Sequence, residues 1–176
     1  MIFTRTCLEG VWLIELDRRE DQRGFFARTY CAEEFARHGL PTTFPQCNVS
    51  FNSARGTLRG LHYQADPHPE GKLVRCIRGA IFDVAVDIRA NSPTYLKWTG
   101  YELSADNRKG LFIGDGFAHG FQTLEDNSEV FYQMTEVFHA GLARGLRWND
   151  PAIGIAWPLD DPTVSERDAA LPLSSE

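Results

Sequence analysis

The sequence predicts an all-β fold of the sandwich or barrel kind. Three observations carry this. Eight short apolar or alternating runs lie between Phe44 and Val137, at near-even spacing and punctuated by turn residues. One of them, Ala80–Ile88, alternates cleanly: Phe82, Val84, Val86 and Ile88 fall on one face, and Asp83, Ala85 and Asp87 on the other. Helical patterning is confined to one six- or seven-residue stretch and a short segment near the C-terminus.

In chain order, Val11–Leu16 is a short apolar strand, followed by a polar loop, Asp17–Gly24, and a second extended run, Phe25–Tyr30. Ala32–His38 reads as a helix that stops at Gly39, where a residue without a Cβ ends a helix cheaply. The strands Phe44–Ser53, Thr57–Gln64, Lys72–Arg78, Ala80–Ile88, Leu96–Leu103, Lys109–Ile113, Ala118–Leu124 and Glu129–Val137 follow. Their breaks hold Asp-Pro, Arg-Gly, Asn-Ser-Pro, Gly-Asp-Gly and Asp-Asn-Ser. From Asn149 the chain is rich in Pro and Asp and is expected to wrap the surface, with a short helix near Ser165–Ala170. No repeat or linker interrupts residues 1–176, so one domain is expected.

Bulk properties narrow the function. A net charge of −6 disfavours broad nucleic-acid binding, which needs a basic face. No run approaches the roughly 20 apolar residues of a membrane span, and the N-terminus lacks a signal-peptide layout, so the cytoplasm is the expected compartment. Cys7, Cys31, Cys47 and Cys76 are scattered, without metal-site spacing, and are read as packing residues. None of the five histidines forms a His-x-His pair, so no metal is expected.

The chemistry concentrates in Arg59-Gly60-Leu61-His62-Tyr63-Gln64 and Lys72-Leu73-Val74-Arg75-Cys76. Two cations and a histidine on consecutive strands can bind an anion and move a proton. In a regular strand Arg59 and His62 point to opposite faces. For both to line one cavity, the strand must bend or bulge near Gly60. Alternation adds further wall candidates: Gln46, Asn48 and Ser50; Lys72, Val74 and Cys76; Phe117, His119 and Phe121; Val130, Tyr132 and Met134. The last three sets mix apolar side chains with a polar group, as the wall of a ligand-binding barrel does.

Longer motifs then carry a resemblance. Asp21-Gln22-Arg23-Gly24-Phe25-Phe26, Gln46-Cys47-Asn48, Leu58–Gln64, Gly71–Cys76, Phe82–Arg89, Gly116–Phe121 and Arg147-Trp148-Asn149-Asp150-Pro151 resemble, in order and along nearly the whole chain, the dTDP-4-dehydrorhamnose 3,5-epimerases. The resemblance implies a cupin-like jelly roll (a double-stranded β-helix) with short peripheral helices, a homodimer, and no metal or organic cofactor. It implies epimerisation at C3, C5 or both of a nucleoside-diphosphate 4-keto-6-deoxy hexose through an enolate, in polysaccharide or secondary-metabolite sugar synthesis. In that role His62 is the base and Asp168 its carboxylate partner. Tyr132 is the acid on the opposite face, and Lys72 stabilises the enolate. Arg23, Arg59 and His119 grip the diphosphate, Gln46 and Asn48 contact base or ribose, and Phe26, Arg28 and Arg167 complete the binding set.

Three positions depart from the family pattern: Arg28 stands where a glutamate is usual, Val137-Phe138 where Tyr-Tyr is usual, and Ala143 where a glutamate is usual. All fall on the nucleotide side, which implies a kept reaction class and altered base recognition, with the nucleotide open among dTDP, CDP and GDP. Two other readings stay open on sequence alone. Gly114–His119 also resembles half of a metal-cupin motif, which allows an oxygenase or isomerase. A non-catalytic sugar-nucleotide binding module is the other.

Overall fold

A computed structural model describes residues 1–175. Fourteen strands and two short helices run in the order β1 (Ile2–Arg5), β2 (Val11–Glu15), β3 (Arg19–Asp21), β4 (Gly24–Phe26), α1 (Ala32–Arg37), β5 (Gln46–Asn52), β6 (Thr57–Gln64), β7 (Lys72–Arg78), β8 (Ala80–Asp87), β9 (Trp98–Ser104), β10 (Gly110–Ile113), β11 (Phe117–Thr123), β12 (Ser128–Met134), β13 (Ala143–Gly145), β14 (Thr163–Val164) and α2 (Glu166–Ala169). The expected all-β, cupin-like jelly roll is the fold observed. Its strands pair as a six-stranded sheet, β1-β2-β10-β7-β12-β5, and a five-stranded sheet, β13-β6-β11-β8-β9. β14 joins β6 in parallel, and β3 and β4 form a separate hairpin.

The eight strands from β5 to β12 match the alternating runs of the sequence to within a few residues. Their pleat explains the layering. Leu13, Val74, Leu111 and Val130 of the first sheet meet Ile81, Ala85, Leu103 and Phe121 of the second in the central core. β8 is buried on both faces: Val84 and Val86 point outward and pack with Leu61, Ala118 and Ile153 beneath Trp157 of the tail. On the far side of the first sheet, α1 inserts Phe35, fully buried, among Ile14, Leu73 and Phe112. Gly39 follows this helix with φ +70°, as its stop position requires.

Four readings need correction. Phe25–Tyr30 is not one strand; only Gly24–Phe26 pairs, in the exposed β3–β4 hairpin. The chain's first strand, β1, and the short β13 and β14 were not anticipated. The tail does more than wrap the surface, because β14 docks beside Thr57 and Leu58 of β6 and delivers α2 to the same strand. Of the cysteines only Cys76 is buried; Cys7 and Cys47 are exposed. No helix among the described residues is long and apolar enough to cross a membrane.

Candidate active site

The site is built where the two sheets open at one end of the core. β6 runs through it with an irregularity at Gly60. Opposite β11, His119 pairs with His62 and Phe121 with Arg59, so β6 spends one more residue than its partner over that stretch. Gly60 has φ +129°, and a Cβ there would sit 2.6 Å from Gly120 Cα, so no larger residue fits. This is the bulge expected from the sequence.

A cavity of about 340 Å³ opens beside it. Gln46 and Asn48 of β5, Lys72 of β7, and Tyr132 and Met134 of β12 line it from the first sheet, while His62 and Gln64 of β6 line it from the second. Arg167 of α2 completes the wall. Most of the polar residues singled out by alternation therefore converge on one space. Asp168 lies behind His62: its Oδ1 is 2.8 Å from His62 Nε2, and its Oδ2 accepts the Gly60 N–H at 3.1 Å. The Asp168 N–H donates to Ser165 Oγ, the N-cap of α2, which fixes the carboxylate on its helix.

Electrostatics separate the groups. Burial pushes the Asp168 carboxyl up, but the hydrogen bonds from His62 and the Gly60 N–H, with Arg167 nearby, outweigh it and hold it below the usual range. Asp168 is therefore an acceptor at neutral pH, so the donor in its contact with His62 is Nε2–H. The Tyr132 phenol is raised above its ordinary value, by burial first and then by the Glu70 carboxylate, against a smaller opposing effect of Arg59. It stays protonated at neutral pH. Lys72, buried at 7% exposure, pairs through Nζ with Glu70 Oε1.

Other expected residues sit elsewhere. Arg59 is exposed, donates through Nε to Asn52 Oδ1 at 2.7 Å, and does not line the cavity. His119 is not on the wall either: it is 8% exposed and its Nε2 lies 2.7 Å from Asp83 Oδ1. Arg23, Phe26 and Arg28 are not brought to the cavity within one chain. Arg23 pairs with Asp21, Arg28 with Glu34, and Phe26 is 73% exposed.

Several wall residues were missed, Arg144 among them, and two bear most on the chemistry. Glu70 shares the cavity with Lys72, and its Oε2 is buried without a partner. Its only sequence signal is an acid two residues before the lysine, which in a turn ordinarily faces water. Phe138 was read as a departure, with the stacking ring lost at Val137. In the structure Phe138 lines the cavity and Val137 does not, so an aromatic face is present. The Phe138 N–H donates to Gln46 Oε1 at 2.9 Å, which ties that face to β5.

Comparison with known proteins agrees with this geometry. The family model described as dTDP-4-dehydrorhamnose 3,5-epimerase matches residues 5–176. A protein of that name from Methanothermobacter thermautotrophicus is 50% identical over 169 residues, covering 94% of this chain and 90% of the relative. The crystal structure of the Bacillus anthracis enzyme of that name, with TDP and PPi bound, superposes with a TM-score of 0.94 at 40% identity, covering 98% of both chains. The Legionella pneumophila dTDP-6-deoxy-D-glucose-3,5-epimerase, in complex with dTDP-4-keto-L-rhamnose, superposes at 0.91 and 37% identity, over 98% of this chain and 92% of that one.

Proposed function

This chain belongs to the dTDP-4-dehydrorhamnose 3,5-epimerase family, and on that premise we propose that it inverts C3 and C5 of a dTDP-linked 4-keto-6-deoxy hexose. The observation that carries the reading is the arrangement of one base and one acid on opposite sheets around one cavity. His62 comes from β6, and Tyr132 and Lys72 come from β12 and β7.

The C4 ketone acidifies the hydrogens on C3 and C5, so loss of either proton gives an enolate. His62 Nδ1 takes the proton. Asp168 holds the ring through Nε2–H and stabilises the imidazolium that forms. The oxyanion develops beside the Lys72 ammonium, in a site dry enough for that charge to act strongly. Tyr132, kept protonated by its surroundings, returns a proton to carbon from the other face. The result is inversion, and these steps call for no redox or electron-sink group.

Arg167, Gln46 and Asn48 are the substrate contacts on the cavity wall, and Phe138 offers a face for the thymine. Arg59 and His119 stand next to the cavity on β6 and β11, on the side proposed for the diphosphate. We place Arg23, Phe26 and Arg28 at the cavity of a second copy. Arg23 and Phe26 ride on the exposed β3–β4 hairpin and Arg28 lies just beyond it, while the exposed Val49 and Phe51 on the edge strand β5 give a homodimer an apolar surface to cover. The test is incubation with dTDP-4-keto-6-deoxyglucose and identification of the product by NMR. Formation of dTDP-4-keto-L-rhamnose supports the reading; unchanged substrate refutes it.

A further inference from the structure

At the rim of the cavity, two loops bring together three side chains that the epimerase reaction does not use. His68 lies between β6 and β7, and Glu136 and His139 follow β12. We propose that His68, Glu136 and His139 form a binding site for a divalent transition-metal ion.

One ligand atom from each residue lies within 4.8 Å of the other two. His68 Nδ1 is 3.6 Å from Glu136 Oε2, and the two imidazoles stack with centroids 4.3 Å apart and planes 15° from parallel. Metal–ligand bonds of about 2.0–2.2 Å require the three atoms to close in by a side-chain rotation. All three side chains are partly exposed, so the rings can leave their stack at little cost. Two imidazoles and one carboxylate suit zinc, nickel, cobalt or copper rather than magnesium or calcium, which prefer all-oxygen sites. Three protein ligands leave a further position for water.

The scaffold around the ligands is fixed in advance. The buried Gln64 amide holds both histidines by their backbones: Nε2 donates to the His68 carbonyl at 2.6 Å, and Oε1 accepts the His139 N–H at 2.7 Å. The same Nε2 donates to the Val137 carbonyl at 3.1 Å. Glu136 Oε1 accepts the Val137 N–H at 2.8 Å, which turns Oε2 toward His68. Such supporting contacts orient ligands and raise affinity. No lysine or arginine pairs with the three side chains among the described residues. The sequence hid the site, because its ligands come from segments 68 residues apart rather than from a spaced motif.

The ion would staple the loop before β7 to the segment after β12. Glu70 and Phe138, next to these ligands in the chain, are both on the cavity wall, so occupancy firms the mouth of the cavity. The site does not depend on the epimerase reading. The test is calorimetric titration of chelator-stripped full-length protein with zinc chloride, repeated with nickel chloride, alongside thermal melting. Wild type should bind one equivalent and melt at a higher temperature with the ion present. His68→Gln, Glu136→Gln and His139→Gln should each bind about tenfold or more weakly and lose the melting shift, while melting like wild type without metal. Variants that bind zinc as tightly as wild type, loss of binding instead in Cys7→Ser or Cys47→Ser, or no binding by wild type would each overturn the proposal.

Discussion

His62 and His119 stand opposite one another in the pairing of β6 with β11, and the Nε2 of each is held by its own aspartate, Asp168 at 2.8 Å and Asp83 at 2.7 Å. Burial divides the two dyads. The His62 side chain is 40% exposed and the His119 side chain 10%. Only the first can meet a carbon-bound proton in the open cavity. His119→Asn should therefore retain solvent exchange at saturating substrate while KM rises. Abolished exchange in that variant would show that His119, despite its burial, takes part in proton transfer.

Glu70 and Lys72 form a buried ion pair, with side-chain exposures of 8% and 9%. Removing one partner strands the other charge away from water, at a cost of about 3–5 kcal/mol. Glu70→Ala should lower stability by that order in urea unfolding, and Glu70→Gln, which keeps an acceptor for the ammonium, by less. An unchanged midpoint for Glu70→Ala would mean that the pair opens to solvent.

The Asp168 carboxyl is held below its usual range in the folded protein, so its contribution to stability is present above the unfolded value of about 4. That contribution is lost as pH falls through the lower folded value. Asp168→Asn should flatten the acid side of the stability profile relative to wild type below about pH 4. By analogy with other His–Asp pairs, kcat should fall on the order of 10⁴-fold. Parallel acid profiles for the two proteins would count against the hydrogen bonds assigned to this carboxylate.

Phe138 lines the cavity, whereas the family resemblance places the stacking ring at position 137. Phe138→Ala should cost about 1–3 kcal/mol in kcat/KM for the dTDP substrate. Val137→Tyr should leave the dTDP-to-CDP ratio of kcat/KM nearly unchanged. If the second change alone raises the ratio, the base lies against Val137 after all.

Much of this site was legible because strands write their geometry into a period of two. Gln46, Asn48, Lys72, Tyr132 and Met134 fall on alternating positions of their strands in the sequence and share the cavity in the structure. Gly60 marked its bulge in the sequence, although Arg59, which the bulge was expected to bring to the cavity beside His62, stays off the wall. Other features were not local. β13 and β14 are three and two residues long and exist only through pairing with β6. Asp168 reaches His62 across 106 positions, and only the family resemblance pointed to it. Alternation could not show that His119 turns to Asp83 rather than to open space, nor that Glu70 folds back onto Lys72. The positions of Arg23 and Phe26 depend on where an exposed hairpin lies, and that of Arg28 on the segment after it, which no periodicity records.

The central claim is that His62 removes the proton and Tyr132 returns one from the opposite side. The most direct measurement follows deuterium incorporation at C3 and C5 in D₂O, by NMR, for wild type, His62→Asn and Tyr132→Phe. His62→Asn should show no incorporation at either carbon. Tyr132→Phe should still exchange on the side of the base while inverted product falls. Complete and equal loss of exchange in both variants would contradict the division of labour between the two sheets.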